Sequence, residues 1–320
     1  MLQKKALIIR FSSFGDIVQA SFAAESLSQK GFEVDLITKT EFRDVFKSEG
    51  FCFKNVLGLS KSASLGNLWR LSGFAADQNY SLIYDAHNNQ RTLLFKLLLC
   101  LRSPSLFFTF NSPFRKRSKF RIKRFLLFKL RINKFPKPFK GALSFLEPLN
   151  IELTEQSKKN NSGKRILLAP SAAWDLKKWP EEHWVELAKN LQKDFEVAFL
   201  GGPSDEFIGS LHRAVPQSIN LAGKLSWTQT VNEIKKARAL ISGDTGVLHV
   251  ADFFGVPAVA LMGPSAFGFT SRESTKTISK DLPCQPCSKD GRGKCKLKET
   301  KKCLTLIKPE EVSANLKEAL

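Results

Sequence analysis

Residues 239–262 read ALISGDTGVLHVADFFGVPAVALM. The apolar run Ala239 to Ser242 is too short for a helix and stops at Gly243-Asp244, so it reads as a buried strand. Gly246 to Phe254 follows as a helix, with Gly255 placed to close it. Ala258 to Met262 is a second apolar run of strand length. Two largely apolar strands joined by a helix suggest a parallel sheet with crossover helices.

The same alternation extends in both directions from this unit. Towards the N-terminus, Trp227 to Ala237 is a predicted helix and Glu196 to Leu200 a strand ending in Gly201-Gly202-Pro203. Glu181 to Gln192 is a helix and Arg165 to Ala169 a strand. Before them, Glu152 to Arg165 is polar and rich in Ser, Asn and Lys, which marks a linker. Ahead of the linker a second βαβ series starts at once. Residues 6–10, ALIIR, form a strand, Ser12 to Asp16 a tight turn, Ile17 to Lys30 a helix closed by Gly31, and Glu33 to Thr38 a strand. Ser81 to Asp85 is a further strand, followed by a helix. At the other end, Pro309 to Leu320 reads as a helix with Pro in its first turn. This predicts two doubly wound α/β domains, 1–155 and 156–320, with ligands beyond the carboxyl ends of the strands in a cleft between the domains.

Composition agrees with that size. The chain has 320 residues, 42% hydrophobic and 25% charged, which excludes a disordered chain, a collagen and a small disulfide scaffold. The longest apolar stretch, Leu93 to Leu101, is interrupted by Lys96 and is far shorter than a membrane span. The apolar run at the N-terminus ends at Arg10, too early for a signal peptide, so a cytosolic protein with mostly reduced cysteines is expected.

The formal charge is +20, and it is concentrated. Between Asp85 and Glu147 there are 15 Lys or Arg and no acid; 12 of them lie between Arg115 and Lys140, interleaved with Phe114, Phe120, Phe125, Phe128, Phe135 and Phe139. Such a segment suits an anionic lipid or glycolipid surface, with rings dipping in and cations meeting phosphates. It also reads as an RNA-stacking surface. A third reading is a helix with Phe125, Leu126, Phe128 and Leu130 as its core face.

Three strand-to-helix turns carry candidate chemistry. Asp16 is either a helix N-cap or a carboxylate available as a general base. In Gly243-Asp244-Thr245-Gly246, the helix start suits phosphate, with Thr245 and Gly246 as donors, while Asp244 suits neutral hydroxyls. His249 lies one turn further on. In Trp174-Asp175-Leu176-Lys177-Lys178-Trp179-Pro180, the lysines either meet a pyrophosphate or are simply solvated beside a Trp-Pro staple. No G-x-G-x-x-G or Walker pattern is present.

Four segments together resemble glycosyltransferase family 9, the ADP-heptose:lipopolysaccharide heptosyltransferases. They are ALIIRFSSFGDIVQASFA, APSAAWDLKKWPEEHWVELA, FLGGPSDE and LISGDTGVLHVADFFGVPAVALMGPS. The resemblance implies a GT-B architecture, with an N-terminal acceptor domain, a C-terminal nucleotide-sugar domain and a last helix (309–320) that crosses back to the first domain. It implies Asp16 as catalytic base, and Lys177, Asp244, Thr245, Gly246 and His249 around the donor. It implies Asp205 or Glu206 at the ribose and Leu225 beside adenine. Arg91 sits in an Asp-x-x-x-x-x-Arg segment (Asp85 to Arg91) that resembles the acceptor side, where Ser13, Arg115, Lys116 and Arg117 are also expected. Implied with these are an inverting transfer from ADP-heptose to the inner core of lipopolysaccharide, no required metal, an anionic glycolipid acceptor and work at the inner face of the cytoplasmic membrane. A same-fold transferase for another nucleotide sugar and a non-catalytic polyanion-binding protein are the rival readings. Nucleic acid is not the expected partner. Ala172 and Ala173 stand where some family members carry hydroxyls.

The tail 284–303 holds Cys284, Cys287, Cys295 and Cys303, spaced C-x2-C-x7-C-x7-C. Only the first pair has metal-ligand spacing, so structural zinc, an iron–sulfur group, a disulfide and reduced structural thiols all remain open.

Overall fold

The computed structural model describes residues 3–60, 65–104, 113–118, 120–132, 134, 139–154, 163–265, 267–297 and 299–320, without the side chain of Arg121. The chain divides into two compact units: residues 1–119 with 142–154, and residues 120–141 with 155–320.

The first unit contains one five-stranded parallel sheet in the order β3-β2-β1-β4-β5. Its strands are β1 (Lys4–Ile9), β2 (Phe32–Lys39), β3 (Val56–Leu59), β4 (Leu82–Asp85) and β5 (Phe114–Lys116). Ala6 to Ile9 are wholly buried, as expected for a central strand covered on both faces. The helix after β1 spans Phe14–Gln29 and starts three residues earlier than the sequence predicts. The reason is local. Ser13 is the N-cap, and Asp16 Oδ2 accepts its N–H at 3.4 Å and its Oγ–H at 2.8 Å. Asp16 is therefore the third residue of the helix and not its N-cap. Gly31, at φ +81°, ends the helix in a conformation that side chains resist.

The second unit contains six parallel strands in the order β11-β10-β9-β6-β7-β8. These are β6 (Arg165–Ala169), β7 (Glu196–Phe199), β8 (Ile219–Asn220), β9 (Ala239–Gly243), β10 (Ala258–Met262) and β11 (Thr275–Ser279). Relative to its own first strand this is the 3-2-1-4-5-6 order of a Rossmann sheet. Ile166, Leu168, Val197, Phe199, Ile241, Val259 and Leu261 form its core, with Trp184 and Leu187 from the helix Glu181–Leu191. Trp179 packs edge-on to Trp184 at 4.9 Å and donates Nε1–H to the Ile307 carbonyl, so the Trp-Pro staple is real.

In the helix Pro309–Ala319, Val312 and Leu316 bury into the core of the second unit, and Glu311 takes both hydrogen bonds of Lys280. The basic Phe-rich segment departs from its expected place. Residues 120–141 belong to the second unit, where Leu127 and Phe139 are buried with Phe120, Phe128 and Phe267 around them. On the helix Arg121–Lys129, Leu127 is buried, while Phe125 and the following Leu130 are 57% and 53% exposed, so the third reading of this segment, a core face of Phe125, Leu126, Phe128 and Leu130, does not hold. Phe135 and Lys137 lie outside the described residues.

Candidate active site

Each sheet reverses its winding between two neighbouring strands, and ligands of doubly wound folds sit at that switch point. In the second unit it falls between β6 and β9. The loop after β6 delivers Lys177, the turn after β9 delivers Asp244 and Thr245, and the loop after β10 delivers Ser265. Lys177 Nζ stands 2.8 Å from Asp244 Oδ2, and Ser265 Oγ donates to the same oxygen at 2.7 Å. His249 Nε2 is 3.8 Å from Asp244 Oδ1. The side chains of Asp244 and Lys177 are only 10% and 15% exposed, so the pair is largely withdrawn from water. Gly268 lets a loop close over it. Its φ is +89°, and a Cβ there would stand 3.0 Å from Asp244 Oδ1.

Thr245 caps the helix Gly246–Phe254, and its hydroxyl shares a hydrogen bond with Ser242 Oγ at 2.9 Å. The first N–H groups of that helix have no intrahelical acceptor and carry the positive end of its dipole. Asp205, Glu206 and Leu225 occupy the loops after β7 and β8, at the same end of the sheet. Asp205 Oδ2 accepts the Gly202 N–H at 2.7 Å, Glu206 is exposed, and Leu225 is half-buried.

In the first unit the switch point falls between β1 and β4. Arg10, leaving β1, sends Nη2 to within 2.6 Å of Asp16 Oδ2 and donates Nη1–H to the Ala86 carbonyl after β4 at 2.8 Å. Arg117, just past β5, reaches Asp16 Oδ1 at 3.3 Å and donates to Ser144 Oγ at 2.8 Å. Its guanidinium stacks 3.7 Å from the centre of the Phe145 ring. Burial alone raises the carboxyl pKa of Asp16, but Arg10, Arg117 and the Ser13 hydroxyl outweigh it and hold Asp16 well below the usual carboxylate range.

The structure thus gathers Ser13, Asp16 and Arg117 in one cluster, and Lys177, Asp244 and His249 in another. Arg91, Arg115 and Lys116 do not join the Asp16 cluster; all three are exposed, and Arg115 turns back to the Phe114 carbonyl. The acid of the Asp85 to Arg91 segment is buried, pairs with Lys96 at 2.8 Å and accepts the Asn88 N–H at 2.6 Å. Sequence reasoning overlooked Arg10 and Ser265. A charged residue directly after four buried strand positions was a readable signal for Arg10. Ser265 had none, because its role depends on β10 lying beside β9.

All six cysteines are free. Burial, with the neighbouring thiols, raises Cys287 and pushes Cys303 to about 11. Among the described residues no group of three or more His, Cys, Asp or Glu stands ready to hold a metal ion.

Two Rossmann-like parallel sheets, each with a charged carboxylate cluster at its switch point, define a protein of the GT-B architecture. The sequence family model for glycosyltransferase family 9 (heptosyltransferase) matches residues 127–298, more than half of the chain. The chain belongs to that family. Lipooligosaccharide heptosyltransferase 2 of Campylobacter jejuni subsp. jejuni is 28% identical over 191 residues, 56% of each chain. The chain thus spans about half the length of the curated relatives it matches. The solved structure of Escherichia coli ADP-heptose lps heptosyltransferase II superposes with a TM-score of 0.67 at 20% identity, covering 98% of both chains. That of E. coli heptosyltransferase WaaC with ADP-2-deoxy-2-fluoro heptose gives a TM-score of 0.62 at 16% identity, covering 99% of this chain and 100% of that one.

Proposed function

We propose that this protein is an inverting glycosyltransferase that moves a heptose from ADP-heptose to a sugar hydroxyl in the inner core of lipopolysaccharide. The observation that carries this reading is the Lys177–Asp244–Ser265 cluster at the switch point of the second sheet, beside the start of the helix Gly246–Phe254. It pairs a cation and free helix N–H groups, which suit a diphosphate, with a carboxylate, which suits sugar hydroxyls. Relatives named as heptosyltransferases, and a fold shared with an enzyme solved with an ADP-heptose analogue, support the donor.

In the proposed reaction Asp16 takes the proton of the acceptor hydroxyl, whose oxygen attacks the anomeric carbon while the bond to the diphosphate breaks. One displacement inverts the configuration. The charge that grows on the departing diphosphate is met by Lys177 and the Thr245 and Gly246 amides. Asp244 binds the transferred sugar, and Asp205, Glu206 and Leu225 contact the nucleoside from the neighbouring loops. Asp16 is held as a stable anion by two guanidinium groups, which makes it a weak base in the ligand-free site. An acceptor bearing carboxylates or phosphates would draw Arg10 and Arg117 to itself and restore basicity to Asp16 as it binds.

Association with an anionic membrane surface belongs to the same proposal. Among the described residues no helix is long and apolar enough to cross a membrane. Yet the helix Gln90–Arg102 carries Leu93, Leu97 and Leu101 exposed along one stripe, and Arg102 stacks 3.7 Å from the exposed Trp69 ring of the neighbouring helix Leu65–Asp77. An apolar stripe with cations at its margin suits the interface of an anionic bilayer.

Calorimetric titration with ADP, UDP and GDP, followed by a transfer assay with ADP-heptose, tests the core of this reading. Selective ADP binding and heptose transfer support it. Selective binding of UDP or GDP replaces the sugar, and absence of nucleotide binding overturns the enzyme reading.

A further inference from the structure

Cys284, Cys287, Cys295 and Cys303, all in the tail 284–303, line one small cavity together with Leu176 and Pro264. Four of the six cysteines of the protein are gathered there. The two others, Cys52 and Cys100, lie in the first unit. None of the four is in a disulfide. The described residues between Ser279 and Lys302 form neither helix nor strand. So long an irregular stretch, with few apolar side chains of its own, needs something to hold it.

We propose that these four cysteines bind one divalent zinc or iron ion in a tetrahedral, all-thiolate structural site. The C-x2-C pair supplies two sulfurs from one turn, and Cys295 and Cys303 supply one each, the donor number and type of a closed structural site. Loading replaces four S–H bonds by four metal–sulfur bonds and releases four protons to solvent, with no electron transferred. The resulting centre carries a net charge of −2, and Lys294, Lys296, Lys301 and Lys302 stand in the same stretch to offset it. The Lys301 N–H already donates to Cys295 Sγ at 3.4 Å, the contact by which backbone amides stabilise bound thiolates. The side chains are not set at ligating positions as they stand. A cysteine sulfur moves with one torsion, so χ1 rotation turns the thiols that line the cavity towards a shared ion.

The site also reaches the Asp244 cluster. Leu176 in the cavity wall adjoins Lys177, and Pro264 adjoins Ser265. Gly291 packs so tightly that a Cβ there would stand 2.6 Å from Lys177 Cγ, and Lys301 pairs with Asp175 at 3.3 Å. An ion that fixes the tail therefore fixes two of the groups around Asp244.

The test is made on the full-length protein. Elemental analysis after purification without added metal should find about one zinc or iron per chain. Stripped protein titrated anaerobically with Co2+ should develop the visible absorption of tetrahedral Co–thiolate up to one equivalent. Equimolar Zn2+ should bleach it and slow alkylation of Cys284, Cys287 and Cys295 by at least about tenfold. Cys284→Ser should weaken or abolish the Co2+ signal, whereas Cys52→Ser should leave it unchanged. If Cys284→Ser fails to fold, the wild-type titration alone decides. Less than about a tenth of an equivalent of metal, with no Co2+ signal and no protection by Zn2+, overturns the proposal. So do peptides linked by disulfides among these four residues in protein isolated under non-reducing conditions. Neither readout depends on the sugar donor.

Discussion

Asp16 and Asp244 each lie beyond a strand that borders the switch point of its sheet, Asp16 after the first strand of its unit and Asp244 after the fourth of its own, yet their surroundings are opposite in balance. Asp244 faces one ammonium, one hydroxyl and, at 3.8 Å, the ring of His249, and its side chain is 10% exposed. Asp16 faces two guanidinium groups and one hydroxyl, and its side chain is 31% exposed. The Asp244 cluster is close to neutral and closed, which suits a carboxylate whose task is to bind hydroxyls and hold its place. The Asp16 cluster carries a surplus positive charge and opens to solvent, which suits the capture of an anion and the release of the carboxylate for proton transfer. Two sheets of the same type thus give two kinds of acid site because different loops bring the counter-charges.

That contrast can be broken by substitution. The largest effect is expected from Asp16→Asn. It removes the proposed base, so turnover of ADP-heptose should fall by about 10²–10⁴-fold while ADP affinity by calorimetry stays within about twofold. Retained turnover would remove Asp16 from the chemistry. Next comes Lys177→Ala, which deletes a charge-assisted contact of about 1.5–3 kcal/mol and should weaken ADP binding by roughly 10- to 150-fold. Unchanged affinity would place the diphosphate elsewhere.

Arg117→Gln is expected to act on the other cluster. Loss of one cation raises the pKa of Asp16, so the acid limb of the kcat/KM profile should move to higher pH by about one unit or more, and the KM for acceptor should rise. An acid limb that does not move would show that Asp16 is not the group titrating there. A smaller effect is expected from Gly268→Ala. The left-handed backbone and the 3.0 Å approach to Asp244 Oδ1 should cost about 1–3 kcal/mol, read as a lower Tm and weaker donor binding. The smallest effect on stability belongs to Leu97→Asp, at about 0.5 kcal/mol or less, but this substitution should release the protein from anionic vesicles. Equal retention of both proteins on such vesicles would remove the stripe from the membrane reading.

Much of this was legible in the sequence. The strands Arg165–Ala169 and Ala258–Met262 and the helix Gly246–Phe254 have the bounds read from the apolar runs and their Gly punctuation. Buried parallel strands are continuous apolar stretches, so they announce themselves. The short strands Val56–Leu59, Ile219–Asn220 and Thr275–Ser279 were missed, because edge strands carry mixed sequence and are defined by the neighbour they pair with. In the basic Phe-rich segment the choice of Leu127 over Phe125 for burial follows from Phe139 and Phe267, which no local periodicity reports.

Sequence alone determined the alternation of strands and helices, the positions of the Asp16 and Asp244 turns and the spacing of the four cysteines, since each is set by residues adjacent in the chain. Tertiary structure decided which partners met them. Arg117 lies 101 positions from Asp16, and Lys177 and Ser265 flank Asp244 from two different loops. Coulomb energy and hydrogen bonding depend on distance in space, and only the strand order of a parallel sheet converts remote loops into neighbours.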